Sequence, residues 1–313
     1  MHSVPDLLSI SDIADQLPSL LEEAGRLKAT RRSSPARTSL ASRSLALIFE
    51  KPSTRTRTSF EVGIHELGGH AVYLSRSEIQ LGRGETIADT ARVLSRYCDG
   101  IVYRAFRHAD VVELARTASI PVINALDDLE HPCQIVADLL TMHERWKGGF
   151  RGKRLAWIGD GNNVLHSLLL GAAAVGLDLT AATPATYAPN PGIVAAAQAL
   201  AARSGAHLRF VEDPSLAADG ADALYTDVWV SMGDEAEGAA RTRAFQGYQI
   251  NAALLERAAP DAFVLHDLPA HRGQEITDDV LDGPRSAAWD QAENRLHAQK
   301  AILELLLPHA AKG

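Results

Sequence analysis

Two cysteines in 313 residues, Cys98 and Cys133, leave no disulfide framework and no paired-cysteine metal motif. No apolar run approaches the roughly 20 residues that cross a bilayer, so no membrane partner is expected. Basic charge is in deficit as well. Lys and Arg number 31 against 39 acids, a formal net charge of −8, with the signs interspersed rather than blocked. A phosphate backbone wants a basic face, so nucleic acid is not an expected partner either. The opening MHSVPDLLSISD lacks a basic start followed by an apolar core, which excludes a secretory signal. With so little cysteine, a reducing cytoplasm is the expected compartment. None of this speaks against a small anion held in a local basic pocket.

What the chain does contain is an ordinary globular composition, 46% hydrophobic and 22% charged, over a length that suits two domains. Short apolar runs recur at 45–50, 70–75, 99–104, 121–125, 154–159, 177–183, 207–211, 221–226 and 262–266. Amphipathic stretches separate them, at 56–68, 86–97, 108–118, 132–147, 163–175, 191–204 and 290–307. This alternation predicts an α/β fold with two doubly wound parallel-sheet domains joined by long helices. Four runs precede residue 130 and five follow 150, with a seam in ERWKGGFRGK (144–153). The expected domains are therefore 1–147 and 148–290, with the last helix, 291–310, packing back on the first.

Open α/β sheets bind ligands at the carboxyl ends of their strands. Here those ends are unusually polar: STRTR after the first run, Tyr103-Arg104, HPCQ, GDGNN, TDVWVSMG and HDLP. In FEKPSTRTRTSFE (49–61), Ser53, Thr54 and Thr56 supply hydroxyls at a strand-to-helix junction, where free backbone N–H groups and the helix dipole favour an anion. Arg55 and Arg57 add planar donors suited to phosphate. A helix cap with solvated arginines would explain an isolated S-T-R triplet; five such residues in a row exceed what a cap needs. GDGNN begins a GxG turn, but position 164 is Val, so the dinucleotide fingerprint is incomplete.

Taken in order, FEKPSTRTRTSFE, HPCQ (131–134), GDGNN (159–163), DVWVSMG (227–233), HDLPAHRG (266–273) and AENR (292–295) resemble the aspartate/ornithine carbamoyltransferase family along nearly the whole chain. The resemblance implies carbamoyl transfer from carbamoyl phosphate to an amino-acid amine, without a metal or other cofactor. It implies that Ser53, Thr54, Arg55 and Thr56 bind the phosphate, with Arg57 supporting the loop. Gln80 would reach carbamoyl phosphate across a subunit interface in a homotrimer. Arg104, His131 and Gln134 would hold the carbamoyl group, with Arg295 closing on it. Asn163, Asp227, Ser231 and Met232 would hold the amino acid, and Leu268 would offer its backbone to the attacking amine.

The chemistry fits those roles. A neutral amine attacks a carbonyl whose oxygen gains charge, and Arg104 and His131 suit that oxygen. Phosphate is the leaving group and can take the amine's proton, so most of the rate would come from positioning. A second carboxylate on the substrate would call for cations around it; an acid at Asp227 and an amide at Asn163 fit an α-ammonium and α-carboxylate instead, the zwitterion end of ornithine.

One position departs from the pattern. The family's ornithine-using members carry Cys where this chain has Asp267. Metal binding by His266, Asp267 and His271 is compatible with their spacing but lacks convergent ligands elsewhere. A carboxylate near pKa ~4 is mismatched as a base for an ammonium near ~10 by about six units, or roughly 8 kcal/mol. Holding a cation is more natural, yet it favours the charged amine, which cannot attack. Asp267 facing away or serving a different amine also stands, as does a non-catalytic binding homologue.

Overall fold

The computed structural model describes residues 6–33, 38–81, 84–147, 149–230 and 235–307. Ser231 and Met232 lie outside the described residues. The chain divides into two compact units. One runs through Leu140 and resumes at Asn294; the other is Thr141–Glu293.

The first unit contains α1 (Leu17–Ala29), β1 (Ser44–Phe49), α2 (Thr54–Glu66), β2 (His70–Ser75), α3 (Ile87–Tyr97), β3 (Gly100–Arg104), α4 (His108–Thr117) and β4 (Val122–Leu126). Helix α5 (Pro132–Arg145) carries the chain into the second unit. There follow β5 (Arg154–Ile158), α6 (Asn163–Val175), β6 (Asp178–Ala182), α7 (Pro191–Ser204), β7 (Leu208–Val211), α8 (Pro214–Ala218) and β8 (Ala223–Thr226). Then come α9 (Gly238–Ala244), α10 (Ala252–Leu255), β9 (Phe263–His266) and α11 (Asp278–Leu281). Helix α12 (Ala288–Leu306) brings the chain back into the first unit.

Both sheets are wholly parallel, in the orders β2-β1-β3-β4 and β7-β6-β5-β8-β9. Central strands are covered on both faces, which is why SLALIF and GIVYR read as continuous apolar runs. The edge strands β2 and β7 stay half exposed. One apolar core gathers Ile48, Ile101, Tyr103 and Leu114 around the first sheet. Another gathers Ile158, Leu224, Trp229 and Phe245 around the second.

The strand orders locate the functional ends. In the first sheet the order reverses between β1 and β3, so STRTR and Arg104 stand at a topological switch point. In the second it reverses between β5 and β8, which places GDGNN and Asp227 at the equivalent point.

Gly159 and Gly161 have a backbone explanation. Gly159 holds φ +147, and a Cβ on Gly161 would clash with the backbone of Tyr187, Ala188 and Pro189. Gly161 N–H also donates to Tyr187 O at 2.9 Å. The GxG turn thus lets two loops touch. Gly161→Ala should cost about 2 kcal/mol through overpacking, read as a lower urea midpoint with an unchanged slope.

Candidate active site

Ser53 is the N-cap of α2, with extended backbone, and its hydroxyl accepts from Thr56 N at 3.2 Å. Thr54 is exposed, Arg55 half-buried and Thr56 buried at this helix start. Arg57 points elsewhere: its guanidinium lies 3.5 Å over the Tyr73 ring and donates to Glu61 at 2.9 Å. It secures the outer face of the helix. Gln80 is exposed on the turn after β2.

Arg104 closes β3 where the register against β4 slips between Tyr103 and Arg104, an irregularity of the kind that re-aims a side chain. His131 immediately precedes Pro132, the first residue of α5, which favours Pro for its fixed φ. The His131 carbonyl accepts from Gln134 N at 3.0 Å. From α12, Arg295 Nη2 donates to Thr56 Oγ1 at 2.9 Å, and Nη1 donates to Gln134 Oε1. Gln134 Nε2 in turn donates to Asp138 at 2.8 Å.

Arg104, His131, Gln134 and Arg295 are all at most 5% exposed. Burial, and then the charges of Arg295, Arg104 and Arg55, push the His131 imidazole well below its ordinary 6.5. His131 is therefore neutral, flanked by three guanidinium groups beside a helix N-terminus. That field suits a phosphate, and a neutral imidazole N–H suits a developing oxyanion.

In the second unit, Asn162 is the N-cap of α6: its Oδ1 accepts from Val164 N and Leu165 N, and its Nδ2 donates to Asp227 Oδ2 at 2.7 Å. Asn163, singled out from sequence, is the first helical residue beside it and is half-buried. Asp227 also accepts from its neighbour Val228 N at 2.7 Å. Arg241 had no sequence signal; from α9 it pairs with buried Asp160 at 2.7 Å and donates to Trp229 O.

Asp267 stands beside Asp227 because Thr226 and His266 are register partners on adjacent parallel strands. Each Asp is the first residue past its strand. Ligand atoms of Asp227, His266 and Asp267 lie within 4.8 Å of one another. The imidazole is committed, however. Its Nδ1 accepts from Leu268 N–H at 2.9 Å, and its Nε2 faces Glu275 Oε1 at 3.1 Å, which fixes the proton on Nε2. It has no lone pair left for a metal, which leaves the two carboxylates of Asp227 and Asp267 side by side. Leu268 itself holds φ +61, a strained conformation for Leu, just where its backbone turns out of the strand. Glu275, fully buried beneath His266, also lacked a sequence signal.

These features define two doubly wound α/β units, one with an arginine-flanked anion cradle and one with a paired-acid strand end. The first 5–144 residues match the model of the aspartate/ornithine carbamoyltransferase carbamoyl-P binding domain, and 151–306 match that of its Asp/Orn binding domain. The ornithine carbamoyltransferase of Methanoculleus marisnigri is 53% identical over 96% of both chains. That of Acidothermus cellulolyticus is 57% identical over 93% of this chain and 92% of its own. The solved ornithine carbamoyltransferase of Pyrococcus furiosus superposes with a TM-score of 0.93 at 49% identity, covering 97% of each chain. The chain belongs to the aspartate/ornithine carbamoyltransferase family.

The His131 environment has a measurable sign. Neutral in the fold but protonated in the unfolded chain below 6.5, His131 lowers stability as the pH falls from that value toward its depressed folded one. Arg295→Met removes the charge with the largest effect on His131 of the three. Imidazole NMR titration should then place His131 closer to 6.5; an unmoved midpoint would contradict the arrangement.

Proposed function

We propose that this chain transfers the carbamoyl group of carbamoyl phosphate to the side-chain amine of ornithine, giving citrulline and phosphate. The observation that carries the reading is buried His131, its pKa lowered by burial and by Arg295, Arg104 and Arg55, beside the hydroxyl-bearing start of α2. The names of the full-length relatives support ornithine as acceptor. Ser53, Thr54, Arg55 and Thr56 take the phosphate, with Arg57 supporting the helix start. Arg104, His131 and Gln134 hold the carbamoyl group, and Arg295 ties Gln134 to Thr56. Asn163, Asp227, Ser231 and Met232 hold the amino acid, and Leu268 orients the amine with its backbone.

The amine nitrogen attacks the carbamoyl carbon, and Arg104 and His131 stabilise the charge gathering on oxygen. The carbon–oxygen bond to phosphate then breaks. The leaving phosphate keeps the electron pair in the cationic cradle and accepts the amine's proton. No side-chain nucleophile and no metal or other cofactor enters.

Asp267 sets the pH dependence. An anion about 4 Å from an ammonium contributes roughly 4 kcal/mol at an effective dielectric of ~20, before its own desolvation is subtracted. That holds the amine protonated and shifts turnover to higher pH. Asp267→Asn and Asp267→Cys should both lower the apparent pKa of the acidic limb of the ornithine pH–rate profile and raise turnover near neutrality. If neither moves the limb or the substrate preference, Asp267 does not face the amine.

The paired carboxylates of Asp227 and Asp267 also favour a second reading, a different diamino acid or amine as acceptor. Assaying carbamoyl phosphate with ornithine, lysine, shorter diamino acids, putrescine and aspartate, read as ureido product, decides between them. Product from ornithine supports the main reading, and efficient carbamoyl-aspartate formation would sink both. Binding of carbamoyl phosphate with no product from any amine would mean a non-catalytic homologue.

The same reading places the chain in arginine biosynthesis in the cytoplasm, as a homotrimer or a multiple of it, with Gln80 serving a neighbour's site. Its exposure on the turn after β2 supports that role. Buried Cys133, pushed up to about 12 by desolvation, is an inert thiol at home in a reducing compartment. Full activity in a species that light scattering shows to be monomeric would contradict the shared site.

A further inference from the structure

Arg104 ends β3 and His131 ends the β4–α5 loop, and something must fix one against the other. Four residues after Arg104 stands His108, the first residue of α4; four residues before His131 stands Asp127. His108 Nδ1 meets Asp127 Oδ2 at 2.6 Å, and His108 N–H donates to Asp128 Oδ1 at 2.6 Å. Arg107, the N-cap of α4, gives that helix no side-chain cap, so Asp128 caps it from the neighbouring loop.

Asp127 is fully buried and organises its own turn. Its Oδ1 accepts from Leu129 N at 2.8 Å and Glu130 N at 2.7 Å, and its backbone N–H donates to Glu130 O at 3.0 Å. Its Oδ2 also accepts from Asn124 Nδ2 at 2.8 Å, and the same amide donates to Leu8 O. Glu130, buried as well, accepts from Ile10 N at 3.1 Å. The bonds within 124–130 close the turn that delivers His131 to the start of α5, and those to Leu8 and Ile10 tie it to the N-terminal segment.

We propose that the His108–Asp127 pair is the strut between the two carbamoyl-holding loops, and that its charge state tunes affinity for carbamoyl phosphate. His108 is a positioning residue in this scheme, and it rests on the function proposed above. The groups facing it are Asp127, Asp128 and Glu130 on the β4–α5 loop. Its hydrogen bond to Asp127, followed by the charges of all three acids, raises the imidazole above 6.5 against the opposing effect of burial. Below 6.5 the strut is a charge-assisted bond over buried carboxylates. As the pH rises through the raised value, the positive charge is lost and only a neutral N–H remains.

Calorimetry of carbamoyl phosphate binding across pH tests this in the full-length protein and three variants. His108→Ala should weaken binding about tenfold, the effect of losing a charge-assisted hydrogen bond, with the KM for ornithine changed less than twofold. His108→Asn keeps a donor without a titrating charge. It should bind with intermediate affinity and lose the decline expected of the unmodified protein as the pH rises through the raised His108 value. Asp127→Asn should lose the same decline. Binding by His108→Ala within twofold of the unmodified protein, or an identical pH profile in His108→Asn, would overturn the strut.

The unmodified protein gives a reading that needs no variant to fold: affinity must follow the NMR titration of His108, and a mismatch overturns the proposal. Binding that depends on His108 without any ureido product would mean that the strut stands and the proposed reaction fails. If carbamoyl phosphate does not bind at all, the His131 imidazole nitrogen shift still decides. It should move in His108→Ala, and an unmoved signal refutes the strut.

Discussion

A guanidinium buried in the first unit organises its anion site. Arg295 reaches from α12 to the hydroxyl of Thr56 on α2 and the amide of Gln134 on α5. Each contact solves a local problem, since a buried charge must be met by polar groups. Together they hold three helices at one end of a sheet. The consequence extends to His131, whose neutrality is a product of burial and of this arginine before any other. A protonated imidazole there would only add to the positive charge. A neutral one can take part in hydrogen bonding of either sense while the arginines supply the field.

Two histidines of the first unit illustrate how placement decides character. His131 faces cations and is driven neutral, whereas His108 faces carboxylates and is driven toward the charged form. They are separated in sequence by the rest of α4, one strand and two loops. Composition could not distinguish them, because the sign of each shift belongs to the neighbours that the fold supplies.

The sheets were legible in the sequence because parallel strands buried on both faces must be continuously apolar, and SLALIF, GIVYR and FVLH could hardly be anything else. Arg104, Asp227 and Asp267 were legible for a related reason: each directly follows or ends such a run, while His131 stood out only through the HPCQ motif that opens α5. Asn162 and Asn163 were not separable. Both begin a helix, and only the extended backbone of Asn162 makes it the cap that also reaches Asp227. Arg241 and Glu275 left no trace, since one looks like a solvated helix face and the other like a loop acid. Arg241 finds Asp160 81 residues away, and Glu275 meets His266 only because the loop after β9 turns back over nine residues. The adjacency of Asp227 and Asp267 was equally hidden, because it depends on which strands are neighbours and on their register.

The chain enters the first unit, leaves it at Leu140 and re-enters at Asn294. During synthesis this reverses the order in which the units can be finished. Every residue of the second unit has been made before the guanidinium that Thr56 receives, which arrives 239 residues after Thr56 itself. A growing chain therefore carries its anion-binding half unfinished, with buried acceptors on α2 and α5 still lacking their donor. The anion site is thus complete only once the last helix has been made.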